Sequence, residues 1–333
     1  MIKAVRTAFI GAGASLAIVT QAHALNTRTW VSGKGVDQSS CGQIAAPCRT
    51  LQYAHDNTTA GGEIDVLDPA GYGSLIITKG INIINDGVGV AGVLAPTGQN
   101  AITINAGTSE AVVLRGLTIE GSSVGANGIE FRSGGPLTVR DCSIQGFVGG
   151  SNTAGNGILL DPTGGTSNIL ITNTTVSNND YIGVSFIPGL RSQGLNTSAV
   201  VSMDRVTASR NKLGIAFFGG YAGSGQMDFN ISNSYITHNQ QTGLQFTNST
   251  NGAQIDHGYF ESNLIAENGS GFSYGGGGKT GTLVLFISNN KIFLNSGNDL
   301  VSPDSWTVVS SAMNNYISQP GQKFTVNVTM SPN

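Results

Sequence analysis

The sequence, 333 residues long, predicts an all-β solenoid in which one short strand after another stacks into parallel sheets. The first observation is a repeated unit, seen in residues 231–246 (ISNSYITHNQQTGLQF): an asparagine, a β-branched residue three positions later, then a glycine and two apolar residues separated by one position. The second is that the apolar residues alternate as they do in strands. The third is the composition, because 48 glycines and only 11% charged residues are typical of a turn-rich β protein and not of a disordered chain.

Residues 1–24 have the pattern of a signal peptide. Lys3 and Arg6 precede an apolar run from Ala8 to Val19. Residues 22–24 (AHA) follow it with a small-x-small pattern that predicts cleavage before Leu25. The alternative, an N-terminal membrane anchor, is disfavoured because the run is shorter than the roughly 20 apolar residues that a membrane helix needs. We therefore predict a secreted or periplasmic protein without a membrane span in the mature chain.

The charge of the predicted mature chain is mildly negative. Of the 16 basic residues, Lys3 and Arg6 belong to the leader, so that 14 remain against 19 acidic residues, a formal charge of −5. The sequence also contains no basic cluster. Both properties argue against nucleic acid as a partner.

The chain contains three cysteines. In an exported protein, the close pair Cys41 and Cys48 is expected to form a disulfide within one N-terminal loop. Cys142 occupies an apolar position of a repeat, which predicts a buried and inert thiol. Two cysteines without a second pair of ligands give no zinc signature, so we predict no metal site.

Residues 25–333 are predicted to form one domain, with an N-terminal cap and first coils at 25–85, repeats at 100–318 and a C-terminal cap at 319–333. Within the first part, residues 47–58 (PCRTLQYAHDNT) predict a short helix with Thr50 as its N-cap. Strands are expected around Trp30 and at 63–67, 75–78 and 81–84. A helix that leads into short strands suits a cap over the open end of a solenoid.

The repeats align on a β-branched pivot residue. The predicted pivots are Ile119, Ile144, Val176, Val206, Ile236, Ile265, Ile292 and Ile317. Each glycine is followed by two apolar residues that point to the same side of a strand and therefore stack from coil to coil. These pairs are Ile129 and Phe131, Ile158 and Leu160, Val184 and Phe186, Ile215 and Phe217, Leu244 and Phe246, and Phe272 and Tyr274.

The asparagines of the repeats predict hydrogen-bonded ladders. Asparagine tolerates the left-handed backbone region, and its amide can reach the equivalent asparagine one coil away, at the strand spacing of about 4.8 Å. The candidates are Asn173, Asn233, Asn290 and Asn315, together with Asn179, Asn239, Asn268 and Asn295. The alternative for each is an ordinary surface turn.

Several segments resemble a known family. The segments TWVSGKG, PCRTLQYAHD and GGEIDVLDPAGYG, followed by coils such as SNNKI and MNNYI, resemble the secreted bacterial proteins with right-handed parallel β-helix repeats in the pectate-lyase-like superfamily. The resemblance covers nearly all of the predicted mature chain and implies a single right-handed parallel β-helix. Because that superfamily includes lyases, hydrolases, epimerases and proteins of no assigned reaction, the resemblance leaves the activity open.

The resemblance implies that functional groups lie on an exposed strand face. The residues that point outward between the paired core positions are Glu130, Leu159, Ser185, Ala216, Gln245 and Ser273. Glu130 has no acidic partner directly beside it, whereas Arg132 and Asp161 align on adjacent coils, where an ion pair is the plain interpretation. The predicted substrate-binding residues are Glu130, Arg132, Asp161, Tyr181 and Gln245.

The catalytic motifs of the superfamily are mostly missing. The tripeptide Ile-Asp-His that occurs in pectate lyases is present at Asp256 and His257, preceded by isoleucine, but without a nearby arginine. His238 and Glu267 both lie two residues after their pivots, so they are expected to stack and to offer an acid–base pair. The predicted catalytic set is therefore His238, Glu267, Asp256 and His257. Calcium would need six to eight oxygen ligands, and no such cluster is present, so we predict no cofactor.

Three functions remain open at this stage. The first is an exported protein that binds extended polysaccharide without catalysis, with Tyr181, Tyr221, Tyr259 and Tyr274 as stacking groups. The second is a polysaccharide lyase or glycoside hydrolase. The third is a structural or adhesive surface solenoid that presents its turns to a protein partner. A convergent acidic cleft favours the second function, and an uncharged flank with exposed aromatic residues favours the first.

Overall fold

The structure is a computed structural model, which describes residues 25–191, 197–219, 225–248, 254–275, 283–301, 307–312, 314–318 and 326–330. It is a parallel β-helix in which the coils contribute short strands to three parallel sheets, and about 3% of the described residues are helical. The fold class that the sequence predicts is therefore confirmed. The predicted signal peptide, Tyr221 and most of the predicted C-terminal cap lie outside the described residues.

Within the described residues, the three sheets contain twelve, nine and ten strands. The long sheet consists of Asn26–Val31, Thr58–Val66, Ile81–Ile84, Val112–Arg115, Leu137–Arg140, Gly165–Thr172, Thr197–Asp204, Gln226–Ser232, Gln254–Glu261, Leu283–Ser288, Thr307–Ala312 and Val326–Met330. The glycine-led sheet consists of Leu75–Ile77, Ile102–Asn105, Asn127–Ser133, Asn156–Leu160, Ile182–Phe186, Leu213–Gly219, Thr242–Asn248, Ser270–Gly275 and Leu300–Val301. The pivot sheet consists of Ala70–Gly71, Ala91–Leu94, Leu117–Glu120, Ser143–Gln145, Thr175–Ser177, Thr207–Ser209, Tyr235–Thr237, Leu264–Ala266, Lys291–Phe293 and Tyr316–Ile317.

The register of the pivot sheet corrects one predicted pivot. Val176 pairs with Ala208, and Ala208 pairs with Ile236, so Ala208 and not Val206 is the pivot of that coil. Val206 is buried at the preceding corner, level with Thr174 of the neighbouring coil. The pattern favours Val206 because valine is a better strand former than alanine. The remaining predicted pivots pair with one another in order.

The core lies between the three sheets and is filled by stacked side chains. The predicted apolar pairs of the glycine-led sheet lie level with one another and are buried. A column of phenylalanine rings runs through the later coils, with centroids of neighbouring rings 4.0 to 6.3 Å apart. The rings of this column belong to Phe186, Phe217, Phe229, Phe246, Phe260 and Phe272. Burial of each such side chain contributes about 1.5–3 kcal/mol, so the column is a major source of stability.

Two lines of buried asparagines close the corners on either side of the pivot sheet. In the line that follows the pivot sheet, here called the corner line, each side-chain oxygen from Asn211 onwards accepts hydrogen bonds from the backbone N–H and the amide of the preceding asparagine. Its members are Asn179, Asn211, Asn239, Asn268 and Asn295, and it ends at Asp299, which accepts from Asn295 Nδ2 at 2.6 Å. The second line, which precedes the pivot sheet, contains the buried Asn263 and Asn290 and the half-buried Asn315.

The ladder prediction is confirmed for six of its eight asparagines and is wrong for Asn173 and Asn233. These two are exposed turn residues with φ of 48° and 50°. Their amides donate to the carboxylates of Asp141 and Asp204 instead of to another asparagine. They lie one position before the buried line, where the turn requires the left-handed region that asparagine tolerates.

The N-terminal cap contains the described helix, Leu51–Asn57. The helix begins after Thr50, whose hydroxyl accepts from the backbone N–H of Tyr53 at 3.2 Å, as an N-cap does. Cys41 and Cys48, in the same part of the chain, form a disulfide. The part of the chain that the structure describes contains no helix with the length and hydropathy of a membrane span.

Candidate functional site

The outward row of the glycine-led sheet has the predicted register but is not exposed. Glu130 lies level with Leu159, which lies level with Ser185, followed by Ala216 and Gln245. The side chains from Glu130 to Ala216 are fully buried. The expectation of an exposed strand face is therefore wrong for these coils. After the strand that contains Ser185, residues 187–191 are tied to the preceding coils, because Leu190 N donates to Asp161 Oδ1 at 2.7 Å and Arg191 Nε donates to Glu130.

Glu130 is the centre of a network of charged and polar side chains. Its carboxylate accepts from Arg132 Nη2 at 2.9 Å, from Arg191 Nε at 2.5 Å and from the amide of Asn100. The predicted ion pair between Arg132 and Asp161 is wrong, because Arg132 turns back to Glu130 on its own strand. The side chains of Arg132 and Arg191 are 40% and 37% exposed. Two guanidinium groups thus connect a buried carboxylate to the surface.

Asp161 lies beside the same network, one coil further on, and is also fully buried. Its Oδ1 accepts from the backbone N–H of Leu190 at 2.7 Å, and its Oδ2 lies 3.9 Å from Arg191 Nε. Since Glu130 Oε1 is 2.5 Å from that same nitrogen, the two carboxylate oxygens can be no further apart than the sum of the two distances, 6.4 Å. Two buried carboxyl groups therefore lie close to one guanidinium nitrogen.

The environments of the two carboxyl groups shift their pKa values in opposite directions. Burial raises the pKa of Asp161 to about 6, aided by the charge of Glu130 and opposed by the Leu190 N–H and by Arg191. Burial would also raise the pKa of Glu130, but the hydrogen bonds and charges of Arg132 and Arg191 together outweigh it and lower that pKa. One carboxyl group is thus held ionised, while the other exchanges a proton near pH 6. Pairs of titratable groups that differ in this way mark acid–base sites in many enzymes.

Unpaired polar atoms are concentrated at this place. Among the described residues, four buried side-chain atoms have no hydrogen-bond partner: Arg132 Nε, Asn156 Oδ1, Asp161 Oδ2 and Ser185 Oγ. All four belong to three adjacent coils of the glycine-led sheet. An unpaired buried polar atom costs about 1–3 kcal/mol, so native proteins contain few of them. Their clustering indicates a site whose polar groups are arranged to bind a ligand or water.

Three asparagines that sequence reasoning missed extend the network. Asn156 Nδ2 donates to Asn127 Oδ1 at 3.0 Å, and Asn127 Nδ2 donates to Asn100 Oδ1 at 3.0 Å. Asn100 in turn donates to Glu130. Asn127 and Asn156 each stand directly before the glycine of their strand, a repeated position that the pattern contained. We name Glu130, Asp161, Arg132, Arg191 and these three asparagines the carboxylate cluster.

The remaining predicted substrate-binding residues continue along the same face. Tyr181 packs against a small apolar cluster of Ile182, Leu213 and Ala216, and the ammonium group of Lys212 lies 5.1 Å from the centre of its ring. Gln245 lies four strands beyond Glu130 in the glycine-led sheet. The face therefore passes from a charged section to an apolar one along the axis of the helix.

The predicted catalytic set is divided between two places. His238 Nε2 pairs with Glu267 Oε2, as expected from their equal offsets, at an exposed corner where both residues have φ of 58°. His257 lies in the long sheet, and its Nδ1 is 2.9 Å from Asp228 Oδ1. Asp256 also belongs to that long-sheet strand, at a position that the register with the neighbouring strand skips. The four residues therefore do not share one location, and the hypothesis that they form a single catalytic centre is not supported.

The described His, Cys, Asp and Glu side chains that lie close together do not form a convincing metal site. Within the described part of the chain, the one group of three or more such side chains whose ligand atoms lie within 4.8 Å of one another comprises Asp37, Cys41 and Cys48. The two sulfur atoms are bonded to each other and so are not the thiolates that a metal ion requires.

Comparison with known proteins finds similarity in structure only. No family model and no curated protein matches the chain. The A-module of the mannuronan C-5 epimerase AlgE4 from Azotobacter vinelandii is similar over 82% of this chain and 83% of that chain, with 14% identity and a TM-score of 0.54. Carrot pectin methylesterase (11% identity, TM-score 0.43, 91% and 85% of the two chains) and the Dettilon tailspike protein (13%, 0.40, 84% and 63%) are also similar. The likeness to the epimerase module supports the parallel β-helix fold.

Proposed function

We propose that the glycine-led face binds an acidic polysaccharide, an extended polymer whose sugar units carry carboxylate groups. The observation that carries the proposal is the carboxylate cluster, in which two partly exposed guanidinium groups stand among unpaired polar atoms. Guanidinium groups recognise carboxylates with two parallel hydrogen bonds. Glu130 accepts from Arg191 Nε, so that Arg191 is held in one orientation before any ligand arrives.

The length and composition of the face suit an extended polymer. Four strand spacings separate Glu130 from Gln245, which corresponds to about 19 Å at the usual spacing of about 4.8 Å. The apolar section near Tyr181 offers contact to the hydrocarbon faces of sugar rings, as aromatic side chains do in amphipathic binding sites. A polymer that lies along the axis would thus contact the partly exposed Arg132 and Arg191 first and the partly buried Tyr181 next, while the buried row from Glu130 to Ala216 lies beneath these contacts.

Two further observations support a polysaccharide outside the cell as the ligand. The predicted leader and the Cys41–Cys48 disulfide both suit an exported protein. One structural neighbour is named for an activity on mannuronan, so mannuronan belongs among the first polymers to test.

The test is a binding titration of the purified mature protein against acidic and neutral polysaccharides. We expect binding to acidic polymers that weakens with salt and that falls about tenfold or more in Arg191→Ala, because a charged hydrogen bond contributes about 1.5–3 kcal/mol. The matched control is Arg140→Ala, an exposed arginine of the long sheet. The proposal is wrong if acidic polymers do not bind, or if Arg191→Ala binds them as the wild type does. In the first case the third predicted function, a structural or adhesive solenoid, remains.

A second candidate function is cleavage of the bound polymer by Glu130 and Asp161. It is favoured by their opposite pKa shifts and by their separation of at most 6.4 Å, because retaining glycosidases place a protonated and an ionised carboxyl group roughly 5–5.5 Å apart. Asp161 would act as the acid and Glu130 as the ionised partner. Both groups are covered in this structure, which is why binding is the first proposal and cleavage the second.

Assays for new reducing ends and for unsaturated uronate distinguish the two functions. If the protein cleaves its polymer, we expect Glu130→Gln and Asp161→Asn to lose turnover, with Glu120→Gln of the pivot sheet as the control. His238→Ala and Glu267→Ala test the alternative acid–base pair in the same assay. Turnover that survives in both cluster variants would exclude cleavage by this pair and leave the binding proposal intact.

A further inference from the structure

A groove lies on the outer side of the pivot sheet, away from the carboxylate cluster. It encloses about 400 Å³, within the range of about 300–1,000 Å³ that is usual for sites of small ligands. Its floor includes Tyr235, Leu264 and Lys291, and its wall includes Ser262 and Asn289. The groove thus combines an aromatic ring, an apolar side chain, an ammonium group and polar side chains.

The floor residues occupy one register position on successive coils. Tyr235 lies level with Leu264, Leu264 with Lys291, and Lys291 with Tyr316. Each coil advances by about 4.8 Å along the axis, which is close to the length of one sugar unit in an extended chain. The rings at the two ends, Tyr235 and Tyr316, are 56% and 59% exposed. The row therefore presents two exposed rings with a cation beside one of them.

The charge at the floor is not neutralised within the protein. Among the residues that the structure describes, no acidic side chain pairs with Lys291. On the wall, Asn289 Nδ2 donates to the hydroxyl of Ser262 at 3.0 Å, which fixes both side chains at the edge of the groove. Ser262 and Asn289 occupy equivalent turns of adjacent coils, with φ of 58° and 53°. A ligand that fits this groove carries a negative charge and a hydrocarbon face and has hydroxyl groups at its edge.

We propose that this groove is a second binding site, which takes a hexuronate unit of an acidic oligosaccharide. The sugar ring lies against Tyr235 and Leu264, its carboxylate binds Lys291, and its hydroxyl groups reach Ser262 and Asn289. The ammonium group gives the preference for acidic over neutral sugars, and the ring contact gives the orientation. The site is independent of the carboxylate cluster, because it lies on another sheet and shares no residue with it.

The experiment measures binding of defined hexamers by isothermal titration calorimetry. The probes are hexamers of galacturonic, mannuronic and guluronic acid, with a neutral glucose hexamer for comparison. The variants are Tyr235→Ala, Lys291→Glu and the conservative Lys291→Arg, each in the wild-type and in the Arg191→Ala background. The matched controls are Leu94→Ala, an exposed apolar residue in an earlier coil of the pivot sheet, and Lys34→Glu, an exposed lysine of the predicted N-terminal cap.

We expect Tyr235→Ala and Lys291→Glu each to weaken binding of at least one acidic hexamer about tenfold, which corresponds to about 1.4 kcal/mol. Lys291→Arg should bind nearly as the wild type does, and the controls should be unchanged. The same loss of affinity should be seen in the Arg191→Ala background. Binding by the groove can therefore be tested even if the carboxylate cluster binds no polysaccharide. The proposal would be overturned if wild type, Tyr235→Ala and Lys291→Glu bound every acidic hexamer with equal affinity. It would also be overturned if the variants lost affinity for the neutral hexamer as much as for the acidic hexamers.

Discussion

At the scale of single residues, the buried carboxyl group of Asp161 opposes folding at neutral pH. Its folded-state pKa of about 6 lies above the ordinary value of 3.8, chiefly because burial disfavours the charge. Because the folded protein holds this proton more tightly than the unfolded chain does, the protonated carboxyl group stabilises the folded protein relative to the ionised one. This stabilisation is fully present below about pH 3.8 and is lost as the pH rises through about 6. A group that lowers stability at the working pH is more easily understood as serving binding or catalysis than folding.

This leads to a prediction for Asp161→Asn. Asparagine retains an oxygen that can accept from the Leu190 N–H and carries no charge, so we expect the variant to be more stable than wild type by roughly 2 kcal/mol at pH 8 and of similar stability at pH 4. Denaturant unfolding at the two pH values measures this difference. The control is Glu130→Gln, which should be less stable at pH 8 because it leaves two arginines without their carboxylate. An unchanged stability of Asp161→Asn at pH 8 would contradict the prediction.

A second prediction concerns the corner position that precedes the corner line. Asn178 and Leu294 both occupy it with φ of 56° and 57°, although leucine has no side-chain amide to support the left-handed region. Leu294 is also 66% exposed, so it gains little from packing. We expect Leu294→Asn to raise, and Asn178→Leu to lower, the free energy of unfolding by about 1 kcal/mol each. Thermal unfolding of the two variants measures the effect, and changes of the same sign in both would refute it.

Arg191 shows why residue patterns did not reveal the whole site. It lies 61 residues beyond Glu130 in the chain and reaches it from an irregular segment, not from a strand. Register predicts which strand residues are neighbours, and it correctly aligned Glu130, Leu159 and Ser185. It gives no information on how a connecting segment folds back over the sheet. The burial of that row was missed for the same reason.

At the scale of elements, the corner line explains how strands this short remain ordered. Asn239 accepts from Asn211, donates its amide to Ala208 O at 3.1 Å and to Asn268 Oδ1 at 2.9 Å, and is buried. One side chain therefore satisfies backbone and side-chain groups of three coils. The asparagine spacing predicted most of this line, but Asn211 was missed because the pivot of its coil was placed at Val206.

The line predicts an asymmetry between buried and exposed asparagines. We expect Asn239→Ala to lower the free energy of unfolding by about 3 kcal/mol or more, because it leaves several buried groups without partners. Asn233→Ala is the matched control in the same coil, where the exposed amide donates to Asp204, and its effect should be below about 1 kcal/mol. Urea unfolding curves compare the two. Similar losses of unfolding free energy in both variants would contradict the prediction that a buried asparagine of the corner line contributes more to stability than an exposed one.

At the scale of the whole molecule, the fold was predictable because one rule repeats along most of the chain. A single misplaced pivot, Val206, left the architecture unaffected, since seven other pivots impose the same register. Binding and chemistry depend instead on outward residues that differ from coil to coil, such as Glu130 and Lys291. No repeat predicts these, which is why the fold is clear from the sequence and the site is not.

The proposed export gives a prediction for the whole chain. We expect the protein produced in its host to begin at Leu25 and to contain no free thiol at Cys41 or Cys48. Mass spectrometry of the intact protein, before and after alkylation without reductant, measures both. An unprocessed N-terminus would contradict the predicted leader. Alkylation of either cysteine would contradict an oxidising compartment.

The corner line also makes individual coils interchangeable. A coil that is inserted between Asn211 and Tyr235 would join the line with the same hydrogen bonds, because each asparagine bonds only to groups of the adjacent coils. The carboxylate cluster lies before this segment and the groove of the pivot sheet after it. Each inserted coil would therefore increase the axial distance between the two sites by about 4.8 Å. Related chains can thus adjust the length of polymer spanned between the sites while both sites stay unaltered.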